Sequence, residues 1–307
     1  MKNILKSTLF LSILLVIIIY MGKIFTPKDN TLESGMNEVR ANGILGEKDD
    51  IDVIIIGDSL TYSSFIPIEM YKEYGFTSYV MGTHAQRSHD TYKLLKNALN
   101  YQKPKVVVLE TNLLFRKYSF NRDMLSKLET ILPFFDYHNR WKNLSFKDFT
   151  SEINYTYTDP TKGYMLKKSV KSGKTYNYMK KDSKVTHIVN GNYVYLEKIK
   201  KLCSENNIKL ILVSASSERN YNFSKHESIE KYATKNKIDY IDLNLEDVKI
   251  DWEKDTTDKG DHLNYLGALK ESKFFGNILK DKYNLVDKRG TLESWDKLEM
   301  VYNKKAR

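Results

Sequence analysis

Five short runs of β-branched and aliphatic residues constrain this chain more than anything else in it. They are DVIIIG (52–57), TSYVMG (77–82), KVVVLETN (105–112), IKLILVSAS (208–216) and IDYIDL (238–243). Each is too short for a stable helix and is apolar at successive positions, the pattern of a strand buried on both faces. Between them lie stretches with helical spacing. PIEMYKEY starts with Pro67, tolerated in a first turn where the missing N–H has no intrahelical partner. SHDTYKLLKNALNY offers Ser88 as an expected N-cap. YVYLEKIKKLCSENN, SIEKYATKN and HLNYLGALKESKFFGNIL complete the set. Strands alternating with helices predict an α/β domain built on a doubly wound parallel sheet. Ligands of such a domain bind outside the carboxyl ends of the strands. Ser59, Gly82 and Asn112 each stand at or just after a strand end, on one rim.

Two stretches fall outside the alternation. At the N-terminus, a short basic start (MKNILK) precedes sixteen uncharged residues, 7–22, extended by Ile24 and Phe25 around Lys23. At about 1.5 Å per residue this nearly crosses a bilayer, and flanking lysines can snorkel. The sequence after it has no small-x-small cleavage signature, so residues 1–25 read as an uncleaved anchor, with a cleaved signal peptide as the rival. Either reading exports the rest of the chain and keeps Lys2 and Lys6 in the cytoplasm. The expected location is therefore the cell membrane, single-pass, with the main domain extracytoplasmic. Residues 26–50 are polar and weakly periodic and read as a stalk. Residues 51–307 form the main domain. Within it, residues 113–190 are too long and too rich in Tyr, Lys and Asn for a plain loop, and read as an inserted cap. No internal repeat is visible.

Composition narrows the function. The net charge of +10, mostly from lysine, suits an anionic neighbour or reflects a lysine-rich composition. No basic cluster or nucleic-acid motif accompanies it, so nucleic acid is not an expected partner. The single cysteine, Cys203, excludes an internal disulfide and reads as a small core residue of a helix. His84, His89 and Asp90 lie near the rim without a converging third ligand, so no metal and no cofactor are expected.

A serine hydroxyl needs a base within hydrogen-bond reach, an acid to orient the base, and donors for the developing oxyanion. Ser59 after the first strand, Gly82 with its bare backbone, the Asn112 amide, and His262 preceded by Asp258 and Asp261 supply those residue types.

GDSL at 57–60, the strand-end Gly82, ETN at 110–112 and DKGDHLN at 258–264 occur in the order that resembles the SGNH (GDSL) hydrolase superfamily, over about residues 51–279. The resemblance implies a flavodoxin-like sheet, a nucleophile at Ser59, a base at His262, and oxyanion donors from the Ser59 and Gly82 backbones and the Asn112 side chain. The anchor, SLTYSSFIPIEM with its proline eight residues after the serine, and DHLNYLGA resemble a membrane-anchored subset more closely. These proteins act in cell-surface polysaccharide O-acetylation and teichoic-acid D-alanylation. That resemblance implies a polysaccharide or teichoic-acid-like acceptor polymer and a membrane-bound O-acyltransferase partner. The segment at 132–149 is also similar to such proteins.

Two departures stand out. The family's orienting acid lies three residues before the histidine, where this chain has Lys259; Asp258 is four before and Asp261 one before. Thr111 replaces the glycine expected before Asn112. Gln86 and Arg87 are candidate polar substrate contacts, and His138, Arg140 and Trp141 a candidate sugar- or phosphate-binding wall. The sequence therefore predicts acyl transfer to a wall polymer through an acyl-Ser59 intermediate. An SGNH esterase is the alternative, and a non-catalytic polymer-binding protein on the same fold a further one.

Overall fold

The structure is a computed structural model describing residues 2–48, 50–174, 176–181 and 183–306. It divides into two compact units: Met1–Val39 with Ser119–Tyr157, and Arg40–Tyr118 with Thr158–Arg307.

The larger unit contains the sheet. Its strands are β1 (Val53–Gly57), β2 (Ser78–Gly82), β3 (Val106–Glu110), β4 (Lys209–Ser214) and β5 (Asp239–Asp242). All pairings are parallel and the spatial order is β2-β1-β3-β4-β5. This is the flavodoxin-like doubly wound order, whose topological switch point lies between β1 and β3. The strand runs read from the sequence are these five strands, trimmed at their ends.

The sheet alternates as a two-sided sheet must. Val53, Ile55, Val106, Val108, Ile211, Val213 and Ile241 share one buried cluster with Leu60, Phe65, Met70, Phe275 and Leu279. That cluster is covered by α3 (Ser59–Ser64), α4 (Pro67–Tyr74) and α11 (Tyr265–Lys282). α5 (Ser88–Ala98) packs on β1 and on α9 (Asn190–Glu205), which packs on β4, while α10 (Phe223–Asn236) lies against β5. Ser88 is the first helical residue of α5, not its N-cap; Arg87 takes that position without a capping side-chain bond. A short helical turn, α2 (Val39–Asn42), begins at the unit boundary, and Ile44 and Leu45 just after it are buried. Cys203 is buried in α9, and burial pushes its thiol up to about 12.

The chain does not end with α11. A further helix, α12 (Glu293–Ala306), packs on α4 with Trp295 wholly buried, its ring 5.1 Å from that of Tyr71.

The smaller unit joins α1 (Lys2–Phe25) to α6 (Phe120–Ile131), α7 (Phe134–Tyr137) and α8 (Phe146–Thr150). α1 has a mean hydropathy of 2.4 over its most apolar window, with none of that window buried, so it is long and apolar enough to cross a membrane. Phe25 at its end packs edge-on against Phe134, ring centroids 5.0 Å apart. Of the long interruption in the strand–helix alternation, Ser119–Tyr157 thus clusters with the N-terminal segment, and the part from Thr158 onward with the sheet.

Candidate active site

β1 ends at Gly57, and the chain turns at once into α3. Asp58 is the N-cap: its Oδ1 accepts the Leu60 N–H at 3.0 Å. Ser59 is therefore the first residue of a helix, where backbone N–H groups have no intrahelical acceptor. Gly82, paired with Gly57 across the sheet, stands beside this turn. A Cβ at Gly82 would lie 2.7 Å from the Asp58 carbonyl, so only a bare backbone fits there. The Arg40 guanidinium donates to the carbonyls of Gly82 and Gly163 and stacks 4.2 Å over the Tyr62 ring, bracing the end of β2.

His262 reaches Ser59 from 203 residues away in sequence. Its Nε2 is 2.8 Å from Ser59 Oγ, and its Nδ1 is 2.6 Å from Asp258 Oδ2. The His262 backbone N–H also donates to Asp258 Oδ1 at 2.6 Å. Asp261 Oδ1 lies 3.8 Å from Nδ1 and is taken by the Asn220 amide. Asp258 is thus the carboxylate bonded to the ring. Its half-burial disfavours the charge, but the His262 ring and backbone donors, with Lys167 nearby, hold its carboxyl below the usual range.

The irregular spacing of this acid has a local cause. Thr256 and Leu263 form an antiparallel bridge, and Thr257 N donates to the His262 carbonyl at 3.1 Å. Asp258–Asp261 is the tip of this small hairpin, and its central residues, Lys259 and Gly260, have φ of +66° and +81°. Two successive positive φ values characterise the two-residue turns that match strand twist. The turn folds Asp258 back over His262, so a four-residue separation delivers the carboxylate to Nδ1. Asn264 then caps α11, accepting from Leu266 and Gly267.

Asp58 joins the two sides of the switch point. It is wholly buried, and its Oδ2 accepts from Asn112 Nδ2 at 3.1 Å and from Arg116 Nε at 2.8 Å. Lys225 Nζ, from α10, donates to Asn112 Oδ1 at 3.2 Å. A cation on one end of the amide and a carboxylate on the other fix its orientation. One of its amide hydrogens serves Asp58. Glu110, buried at the end of β3, accepts the Asn112 backbone N–H. Burial, then the neighbouring Asp58, pushes its carboxyl well above the usual range. Burial lowers the pKa of Lys225, against the raising effect of Glu110 and Asp58.

The remaining sequence candidates fare differently. Gln86 is not a substrate contact: its amide is buried and spent internally, accepting from Thr83 N and donating to Thr91 Oγ1. Arg87 donates to the Lys117 carbonyl. His138, Arg140 and Trp141 belong to the smaller unit, not to the one holding Ser59. Arg140 is structural there, its buried guanidinium bonding Asp148 at 2.6 Å and the Phe25 carbonyl. His138 is exposed, its Nδ1 2.8 Å from the Phe135 carbonyl, and Trp141 is exposed. His84 is exposed and His89 buried. Asp258, Asp261 and His262 bring ligand-type atoms within 4.8 Å of one another, but ring and carboxylate are already joined by the hydrogen bond above. Sequence reasoning missed Asp58, Arg116, Lys225 and Asn220. Asp58 carried a signal, an acid at a strand-to-helix turn; the other three are marked only by the fold.

No family model matches the sequence, and no curated protein matches it. Solved structures do. An acetyl xylan esterase, AlAXEase, is 15% identical over 75% of this chain and 100% of its own, with a TM-score of 0.41. A GDSL-like lipase from Bacteroides thetaiotaomicron is 14% identical over 76% of this chain and 87% of its own, with a TM-score of 0.37. An acetyl xylan esterase from the rumen bacterium Butyrivibrio proteoclasticus is 11% identical over 76% and 64%, with a TM-score of 0.35. Likeness at this level carries no weight for the chemistry, which rests on the geometry of the site.

Proposed function

We propose that this protein is an SGNH-type serine enzyme acting on acyl esters, and that its natural reaction passes the acyl group, most simply acetyl, to a hydroxyl of a cell-surface polymer. The observation that carries the reading is the unbroken chain Ser59 Oγ–His262 Nε2–Nδ1–Asp258, at 2.8 and 2.6 Å, on the carboxyl rim of the sheet. Ser59 Oγ attacks the acyl carbon as His262 Nε2 takes its proton. The resulting oxyanion is met by the Ser59 and Gly82 backbone N–H groups and the second Asn112 amide hydrogen. The tetrahedral intermediate collapses, the alcohol leaves with the proton from His262, and the acyl group remains on Ser59. An acceptor hydroxyl, or water, then gives its proton to His262 and takes the acyl group. Asp258 stabilises the imidazolium in both halves.

Transfer and hydrolysis share this machinery and differ in the second acceptor. The apolar α1 supports a membrane-held enzyme; the polymer outside the cytoplasm and a membrane-bound acyltransferase as acyl source rest on the sequence resemblance alone. The test is intact mass spectrometry of the full chain in detergent with p-nitrophenyl acetate, with and without an oligosaccharide acceptor, and Ser59→Ala as control. A single acetyl adduct that is absent from Ser59→Ala supports the serine chemistry. Faster clearance with the oligosaccharide supports transfer, and clearance by water alone supports an esterase. An adduct that persists in Ser59→Ala sinks the assignment.

A further inference from the structure

Helix α6 is inside out. At about 100° per residue, Phe120, Met124, Leu128 and Ile131 share one side of it, and Asp123, Ser126 and Glu129 the other. The polar side is buried, and the apolar side is open, with Phe120 65% and Ile131 73% exposed. The same unit exposes Trp141 at 63%, Phe146 at 81% and Phe149 at 53%. A water-facing surface would have the opposite arrangement, and apolar exposure this dense marks a surface made to be covered.

Two features of the unit say by what. Its largest other exposed apolar surface is α1, exposed from Lys2 to Tyr20 apart from half-buried Ile18, and buried at its end, where Gly22, Ile24 and Phe25 enter the unit. α7, α8 and the turn at His138–Asn143 pack against α1, so the exposed aromatics sit on elements fastened to a helix able to span a bilayer. Cations also outnumber acids at the surface of this stretch. Arg122, Lys127, Lys142 and Lys147 are exposed, whereas Asp123, Glu129 and Asp148 are buried, the first two paired with Lys127 and Arg122, and Glu152 is exposed. An excess of exposed cations over exposed acids, beside Trp and Phe, is the chemistry that an anionic lipid headgroup layer attracts.

We propose that residues 119–157 form a second membrane contact, in which the apolar face of α6 with Trp141, Phe146 and Phe149 lies at the headgroup–acyl boundary of an anionic bilayer beside the α1 span. This contact is independent of the chemistry at Ser59. Its test uses the full chain, one copy per nanodisc of phosphatidylcholine and phosphatidylglycerol. Single cysteines replace Ile131, Phe146, Val16 and Asn277 in turn and carry a nitrobenzoxadiazole label; buried Cys203 stays unlabelled. The expected result is that labels at Ile131→Cys and Phe146→Cys are quenched several-fold more by lipid carrying a shallow acyl-chain nitroxide than by aqueous iodide. Val16→Cys should respond to deep nitroxide and Asn277→Cys, on the larger unit, to iodide. Iodide quenching at Ile131 and Phe146, with Val16 in lipid, would leave the span standing and overturn the second contact. Protection from both quenchers would show that protein covers the face, and would overturn it equally. A Val16 label open to iodide would remove the bilayer contact altogether. Quenching by brominated lipid of the fluorescence that Trp141→Phe removes checks the same surface without a label.

Discussion

Each residue of the Ser59 site is held by more than one partner. The hydrogen bonds of Asp258 to both the ring and the backbone of His262 fix the ring tautomer with Nδ1–H toward the carboxylate, leaving Nε2 as acceptor for Ser59. Asp258→Asn should therefore lower kcat on p-nitrophenyl acetate by about 10³–10⁴-fold, the loss expected when the wrong tautomer is favoured. Asp261→Asn, whose carboxylate serves Asn220, should cost far less; equal losses would mean that the two acids share the role. Gly260 is a sharper structural test. Its φ is +81°, a conformation that side chains strain, and a Cβ there would also push the Glu218 carboxylate aside, so Gly260→Ala should strain the hairpin tip. We expect thermal unfolding to show a loss of about 1–2 kcal/mol and activity to fall with it. Lys225→Met leaves Asn112 Oδ1 without its cation and lets the amide turn. The expected outcome is a fall in kcat of about 10–10²-fold with KM nearly unchanged, rescued in part by Lys225→Arg. At this scale Ser59, His262 and Gly82 were legible because each sits against a strand end or helix start that the local sequence announces. Lys225 was not: nothing near it in SIEKYATKN or the residues before it tells that α10 delivers an ammonium to a loop more than a hundred residues earlier.

Among the elements, α11 and β4 are joined by a buried acid. Glu271 is fully buried in α11, and its carboxylate accepts the Ser216 backbone N–H just after β4 at 3.1 Å. Burial pushes its carboxyl up to about 7. An acid raised in the folded state binds its proton there while the unfolded chain has lost it, so folding is favoured below the ordinary glutamate range and the advantage fades as pH rises through about 7. Chemical denaturation from pH 5 to pH 8 should therefore show the native protein losing stability relative to Glu271→Gln, on the order of 1–3 kcal/mol. Parallel curves would place the raised value elsewhere. β1 and β3 were readable because burial on both faces selects apolar residues at almost every position, and β4 because only its first residue is exposed. Helices were readable where one face is apolar, as in α4 and α9. The start of α10 at Phe223 was not, because FSKHE has no periodic face and is set by the Asn222 cap. α12 was not either, since its one large anchor, Trp295, is meaningful only against Tyr71.

For the whole molecule, the consequence lies in how the chain partitions between membrane and water. With the most apolar stretch of α1 unburied, the full chain should sediment with membranes and resist high salt and alkaline extraction. Val16→Asp with Ile17→Asp should release it, each charge costing about 2.5–3.5 kcal/mol at the centre of a span. The sequence alone determined the parallel sheet, the rim that carries Ser59 and the apolar N-terminal helix, because hydrophobic period and length are local properties. Tertiary structure alone decided which acid serves His262, since a turn at Lys259–Gly260 sets the geometry that residue counting misjudges. It also decided that Arg140 and Gln86 are structural, and that α6 turns its apolar side outward. A helical period announces that a face exists; only the packing of its neighbours settles whether that face meets protein or the surroundings.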